Sequence, residues 1–305
     1  MERIVGAAFN HPSVVMIGNF DGVHRGHQAL IRRGRELAEK SGWAVVALTF
    51  DPHPASVLKP VPPEHYLITP TDVKLHWFER FGVDYVKVLH FDHALAAVPA
   101  FPFLALEVKA ALNAQAVVVG FNFTFGAGGA GHAETLLEWG RVSGVAVDIV
   151  SPVEFGEGVV SSSAIRRDIL KNRIGDANRR LGHPFAVQGV VQKGEGRGST
   201  IGIPTLNLSP PVCQVMPEYG VYAGFLREGD TVWAAVANWG VRPTFGQSVP
   251  VLEVHVIDGQ LPDWHGRSVA FDFADYVRPE KKFDSVDTLV AQIRRDVEKA
   301  RQLLS

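Results

Sequence analysis

The spacing of apolar residues changes once along this chain, at Gly182-His183-Pro184, and that change constrains the fold more than any other feature. Before it, short apolar runs alternate with segments of helical period. After it, residues alternate one by one with no helical period until the C-terminal end. An open α/β sheet with parallel strands, followed by an antiparallel sheet or small barrel, satisfies both halves. A length of 305 residues suits two such domains, expected at 1–182 and 183–305.

In the first half Val14–Ile17, Trp43–Phe50, Tyr85–Leu89, Ala116–Val119 and Val145–Val150 read as strands, Trp43–Phe50 being continuously apolar as buried parallel strands are. Gly26–Lys40 reads as a helix stopped by Gly42. Asp72–Phe81 reads as another, with Val73, Trp77, Phe78 and Phe81 on one face and Gly82 at its end. In the second half Val187–Val191, Val221–Leu226, Val232–Ala237, Val251–Ile257 and Val269–Phe273 are strands between Gly, Pro and Asp turns. Val286, Leu289, Val290, Ile293, Val297, Ala300 and Leu304 then mark one face of a terminal helix that must pack on the barrel.

Composition narrows the partners. Thirty Lys plus Arg stand against 32 Asp plus Glu, so no basic field draws the chain to nucleic acid or to an anionic membrane. The most apolar stretch, Ala94–Val108, carries Pro99 and Pro102 and is too short to span a bilayer. Cys213 is the only cysteine, which excludes an intrachain disulfide and a cysteine zinc cluster. Small-molecule partners and a cytoplasmic location are the expectation.

Gly18-Asn19-Phe20-Asp21-Gly22-Val23-His24-Arg25-Gly26-His27 follows a strand and opens a helix. A helix N-terminus at a strand end offers free N–H groups to an anion, and His24 and His27, three apart, can face one point and stabilise charge on a phosphoryl group in transfer. Asp51-Pro52-His53-Pro54 and the Gly-rich stretch Gly120 to Gly131, with Asn122 in it, also follow strands. Ser161-Ser162-Ser163-Ala164-Ile165-Arg166 puts hydroxyls at a helix start and a guanidinium one turn in, as a triphosphate requires. Taken singly these are also a capped helix, a proline turn, a loop and an N-cap. Their convergence on one sheet edge argues for a site.

The second half carries Gly194-Glu195-Gly196-Arg197-Gly198-Ser199-Thr200-Ile201-Gly202-Ile203-Pro204-Thr205-Leu206-Asn207. No Gly-Lys-Ser/Thr follows, so it is not a Walker A loop, yet Gly194, Gly198 and Gly202 suit backbone contact with phosphates. Thr205 and Asn207 alternate onto one strand face and supply hard oxygens for Mg²⁺. In Leu252-Glu253-Val254-His255, strand alternation puts Glu253 and His255 on one face, and Glu253 is the candidate base for a hydroxyl attacking a γ-phosphate.

The His-x-Gly-His element, Gly120-Phe121-Asn122-Phe123 and Ser161-Ser162-Ser163-Ala164-Ile165-Arg166 together resemble the FMN adenylyltransferase module of prokaryotic bifunctional riboflavin kinase/FAD synthetases. Pro204-Thr205-Leu206-Asn207, Gly220-Val221-Tyr222, Asn238 to Phe245, Leu252 to His255 and Arg278 to Phe283 resemble its riboflavin kinase module. The resemblance runs over about residues 14–301, with Thr124 where members often carry Arg and Ile203 where Phe is usual. It implies a Rossmann-like nucleotidyltransferase domain and a six-stranded antiparallel barrel kinase. It also implies that ATP phosphorylates riboflavin to FMN, and that a second ATP adenylylates FMN to FAD with release of pyrophosphate. It further implies that His24 and His27 stabilise the adenylyl transition state, and that Asn122, Ser162, Ser163 and Arg166 contact nucleotide and phosphates. Asn19, Phe20 and Asp21 would form the wall, and Arg278 and Phe283 would hold the flavin.

Overall fold

The computed structural model describes residues 1–5, 8–58, 66–156, 158–192, 198, 201–244, 247–259 and 264–305. The chain forms two compact units: Met1–Pro63 with Thr69–Ser162, and Glu64–Ile68 with Ser163–Ser305.

The first unit is built on strands β1 (Glu2–Arg3), β2 (Ser13–Ile17), β3 (Ala44–Asp51), β4 (Tyr85–His90), β5 (Ala114–Gly120) and β6 (Ala146–Val150). They form one parallel sheet in the order β1-β4-β3-β2-β5-β6. Every expected strand is present, and the two-residue β1 adds an edge that no apolar run announces. Helices cover both faces, which is why β2 is buried at every position. On one side Val14, Met16 and Val45 pack with Ile31 of α1 (Arg25–Ser41) and Phe78 of a later helix, Thr71–Arg80. On the other, Val15, Ile17 and Val117 pack with Leu104 and Val108 of a wide helical segment, Leu104–Ala110, and with Trp139.

The remaining helices are α2 (Pro54–Leu58), α3 (Thr71–Arg80), α4 (His93–Ala96), α5 (Ala100–Phe103) and α6 (Ala133–Ser143), followed by a ribbon of β7 (Glu154–Phe155) and β8 (Gly158–Val159). Gly42 ends α1 in the left-handed region, φ 67°. From β2 the order runs outward to β3 and β4 on one side and to β5 and β6 on the other. The crevice for a ligand therefore opens beyond the C-terminal ends of β2 and β5.

The second unit holds α7 (Ser162–Leu170, all but its first residue) and α8 (Ile174–Leu181), then β9 (Phe185–Gln192), β10 (Leu206–Ser209), β11 (Gly220–Glu228), β12 (Thr231–Thr244), β13 (Gln247–Val256), β14 (Ser268–Pro279) and α9 (Val286–Leu304). The strands close into the expected six-stranded antiparallel barrel, ordered β10-β13-β12-β11-β14-β9. Leu208, Tyr222, Leu252, Val254, Phe271 and Phe273 are buried on the inner face. On the outer face Val221, Ala223, Val236 and Val277 meet Val297, Ala300 and Leu304 of α9. That is the packing its period required, although Val286 in the first turn is 57% exposed.

Two parts of this unit have no counterpart in the sequence reading. In α8, Ile174, Ala177 and Leu181 are fully buried, and Asn178 both donates to the Phe273 carbonyl (2.7 Å) and accepts from the Phe185 amide (2.7 Å). Leu67 pairs with Gln214, whose amide also donates to the carbonyls of Ile68 and Ala186.

Candidate active sites

At the end of β2 the chain turns through Asn19, Phe20 and Asp21 into α1. Phe20 is fully buried with φ 51°, and its ring stands edge-on to Phe78 at 5.0 Å and 5.1 Å from His27. Asp21 is buried; its carboxylate accepts from the Thr69 amide (3.2 Å) and its carbonyl from the Ser162 hydroxyl (2.8 Å). The Gly22 amide donates to Thr69 Oγ1 at 2.9 Å. The turn is therefore held from several sides.

His24 is the N-cap of α1, its Nδ1 accepting from the His27 amide at 3.3 Å. The two imidazoles stack, centroids 3.6 Å apart and planes 15° from parallel. Gly26 lies between them because a Cβ there would sit 3.1 Å from the His24 ring. Nδ1 of His27 is buried with no hydrogen-bond partner among the described residues. Burial first, then the charges of His24 and Lys74, hold the His27 pKa well below the ordinary imidazole value of 6.5. That direction favours the neutral ring, whose N–H can donate, at the positive end of the α1 dipole.

Asn122 is exposed at the end of β5, the other strand of the crevice. The glycine stretch after it folds on itself: Phe125 and Gly131 exchange both backbone hydrogen bonds (3.1 and 2.9 Å), and the Gly131 Cα lies against the Phe125 ring. Gly131 against Phe125 and Gly126 against Ala100 thus serve close packing, whereas Gly128 has open space around it. In the second unit Ser163 is exposed and the Arg166 guanidinium lies 4.1 Å from the centre of the Tyr66 ring.

Around the barrel, Asn207 of β10 stands directly opposite Glu253 of β13, which stands directly opposite Asn238 of β12. Their neighbours Leu206, Leu208, Leu252 and Val254 face inward and are buried, so the polar row faces outward. Asn207 is nonetheless 5% exposed, and its Oδ1 has no hydrogen-bond partner among the described residues. Thr205 lies one residue before β10 instead of within it. His255 bonds through Nδ1 to the Pro204 carbonyl at 2.8 Å and pins that segment to β13. Gly198 is required where it is: a Cβ would lie 2.3 Å from the Ile203 carbonyl oxygen and 3.3 Å from Thr205 Oγ1. Gly202 has φ 74°, and Gly194 lies outside the described residues.

Following the same register, Asn238 faces Val221 of β11, and Val221 faces Arg278 of β14. The Arg278 guanidinium binds Asp296 of α9 with three contacts of 2.7–3.0 Å and sits 5.8 Å from the Phe283 ring. A buried amide oxygen with no partner among the described residues, two positions after the Thr205 hydroxyl, belongs to a hard-oxygen set that fits Mg²⁺.

Comparison with known proteins matches each half of the chain to an enzyme family. A family described as FAD synthetase matches residues 7–164, and one described as riboflavin kinase matches residues 181–304. The bifunctional riboflavin kinase/FMN adenylyltransferase of Escherichia coli K12 is 39% identical over 95% of this chain and 92% of its own length. That of Bacillus subtilis is 32% identical over 96% and 93%. The chain belongs to the bifunctional riboflavin kinase/FMN adenylyltransferase family. A crystal structure of a Streptococcus pneumoniae protein named a macrolide-efflux protein also superposes, with TM-score 0.88 and 35% identity over 97% of this chain and 95% of that one. No helix among the described residues here is long and apolar enough to cross a membrane.

This family member thus carries both enzyme modules, one for FMN formation and one for FAD formation. Three groups of its sites escaped the sequence reading. Lys74 is 3% exposed and reaches the Asn19 carbonyl, but a hydrophobic-period reading of α3 passes over a charge. Thr69, which holds Asp21 and Gly22, has no local signature. Asp296 pairs with Arg278 from a helix read only for its apolar residues.

Proposed function

We propose that FMN forms on the outer face of the barrel and is adenylylated at the head of α1. The observation that carries the kinase assignment is the direct pairing of Asn207 with Glu253, with the Asn207 oxygen buried and unpartnered. Glu253 takes the proton of the terminal ribityl hydroxyl as its oxygen attacks the γ-phosphorus of ATP, and ADP leaves. Thr205 and Asn207 would hold Mg²⁺, which when bound offsets the charge of the phosphates. Gly194, Gly198 and Gly202 lie along the phosphates, and Arg278 and Phe283 border the flavin end.

In the first unit an oxygen of the FMN phosphate attacks the α-phosphorus of ATP, and pyrophosphate leaves. The nucleophile is already ionised, so no base is needed; the demand is for donors to the charge on the five-coordinate phosphorus. Neutral His27, His24 and the α1 amides supply them. Asn122, Ser162, Ser163 and Arg166 contact nucleotide and phosphates, with Asn19, Phe20 and Asp21 as the wall. Residues 1–182 carry this step and 183–305 the kinase, and a need for ATP in both steps suits the cytoplasm.

The test is a time course with riboflavin, ATP and Mg²⁺, the flavins separated chromatographically. FMN should rise first and FAD follow, chelation of Mg²⁺ should stop FMN formation, and supplied FMN should give FAD directly. A protein that makes neither flavin overturns the reading.

A further inference from the structure

Of the ten residues in α3 only Lys74 and Phe78 are buried, four apart and therefore on one face. Phe78 meets the ring of Phe20. One turn earlier, the Lys74 ammonium donates to the carbonyl of Asn19 at 2.9 Å and lies 3.5 Å from Thr49 Oγ1, which itself donates to the same carbonyl at 3.2 Å. This face of α3 thus grips both Asn19 and Phe20 in the turn that leads to His24.

Lys74 makes no ion pair among the described residues, so its charge is costly where it lies. Burial draws its pKa down, opposed by the more distant charges of Asp21 in the turn and Asp51 on β3. A packing role alone would be met by an apolar side chain of the same length, and such a residue would avoid the desolvation cost. The charge acts on His27, whose ring also faces His24 on its own helix.

We propose that Lys74 is a positioning residue of adenylyl transfer, its buried ammonium fixing the Asn19–Asp21 turn through the Asn19 carbonyl and acting by its charge on the His27 ring. This rests on the adenylyl-transfer reading of the His24/His27 site.

The test compares Lys74→Met, which keeps length and removes charge, with Lys74→Arg, which keeps charge but presents a wider head to the Asn19 carbonyl. Two quantities are read in the full chain: kcat and KM for FAD formation from supplied FMN, and the titration midpoint of the His27 ring by NMR, its signal assigned by its loss in His27→Ala. In Lys74→Met, kcat should fall roughly 10²-fold, the scale of a displaced catalytic group, with smaller changes in KM. Its His27 midpoint should rise measurably yet stay below that of an ordinary histidine, because burial and His24 still hold it down, while riboflavin phosphorylation stays at the parental rate. Lys74→Arg should retain the low midpoint.

A Lys74→Met protein with parental kcat overturns the proposal. So does one whose kcat falls while the His27 midpoint stays put, because Lys74 would then be a structural prop. Should Lys74→Met fail to fold, the parental protein decides: a His27 midpoint at or above 6.5 overturns the proposal without any variant. Failure of the underlying reading is separate, since it would show as no FAD from FMN and ATP in the parental protein whatever the His27 midpoint.

Discussion

The pairing of Arg278 with Asp296 is a buried charged link between the barrel and its terminal helix, and Asp296→Asn tests it. The carboxylate receives three guanidinium contacts of 2.7–3.0 Å and a fourth from Gln292 at 2.9 Å. The side chains are 19% and 5% exposed. Breaking a buried pair on one side costs about 3–5 kcal/mol, because the surviving charge stays desolvated. Arg278 keeps some water, which places the expected loss near the lower end, about 3 kcal/mol. For a unit of this size each kcal/mol moves the melting point by roughly 2–4 °C, so riboflavin phosphorylation should be lost on heating some 6–12 °C earlier. FAD formation from supplied FMN, measured on the same heated samples, is the internal control and should survive as in the parent. The double variant Arg278→Met/Asp296→Leu should recover most of the heat resistance, since matched apolar residues carry no buried charge, while its KM for riboflavin stays raised if Arg278 holds the flavin end. Parental heat resistance in Asp296→Asn would refute the energetic argument. A parental KM in the double variant would remove Arg278 from the flavin site.

His24→Ala and His27→Ala should each lower FAD formation from FMN by roughly 10²–10³-fold, the scale of removing one donor to a developing oxyanion, with FMN formation near parental; unchanged FAD output in both would end that role. Glu253→Gln should bind riboflavin and ATP yet phosphorylate about 10²–10⁴-fold more slowly, as the amide keeps the shape and loses the proton acceptor. A parental rate would mean another base. A C-terminal fragment from Leu181 should phosphorylate riboflavin but never make FAD, and one from Ser163 should be the more stable, because Ile174 and Ala177 of α8 are fully buried. Burying one Ile side chain is worth about 1.5–3 kcal/mol, so equal stability of the two fragments would contradict the packing seen here. If the folded fragment from Ser163 cannot phosphorylate riboflavin, the kinase does not reside in this half.

Both candidate sites were legible where local chemistry departs from what packing requires. Two histidines flanking a glycine at a strand end, or an acid in the middle of an apolar strand, stand out from the period around them, and so His24, His27 and Glu253 could be named from sequence. The six-stranded barrel followed from alternation together with the family resemblance. Residues that serve the sites from afar left no such mark. Lys74 occupies a core position that periodicity assigns to an apolar side chain, and in α3 the reading favoured Val73 and Trp77, which are only half-buried. The pairing of Leu67 with Gln214 joins segments almost 150 residues apart, and no local pattern encodes a partner at that distance. The helices α6 and α8 were missed because each follows a stretch taken for function, and α8 also runs up to the expected domain boundary, which drew attention from the weaker helical period there.

The closed barrel has a consequence for how this kinase can be altered. With every strand paired on both sides, β13 has no free edge along which to slide. A single-residue insertion upstream of Glu253 within β13 would turn the carboxylate into the interior and bring Leu252 or Val254 out opposite Asn207. The facing of the Glu253 carboxylate is therefore digital: outward or inverted, with no intermediate setting for selection or an engineer to adjust. New substrates must be won at the ends of the strands and in α9, where length can vary without disturbing the count.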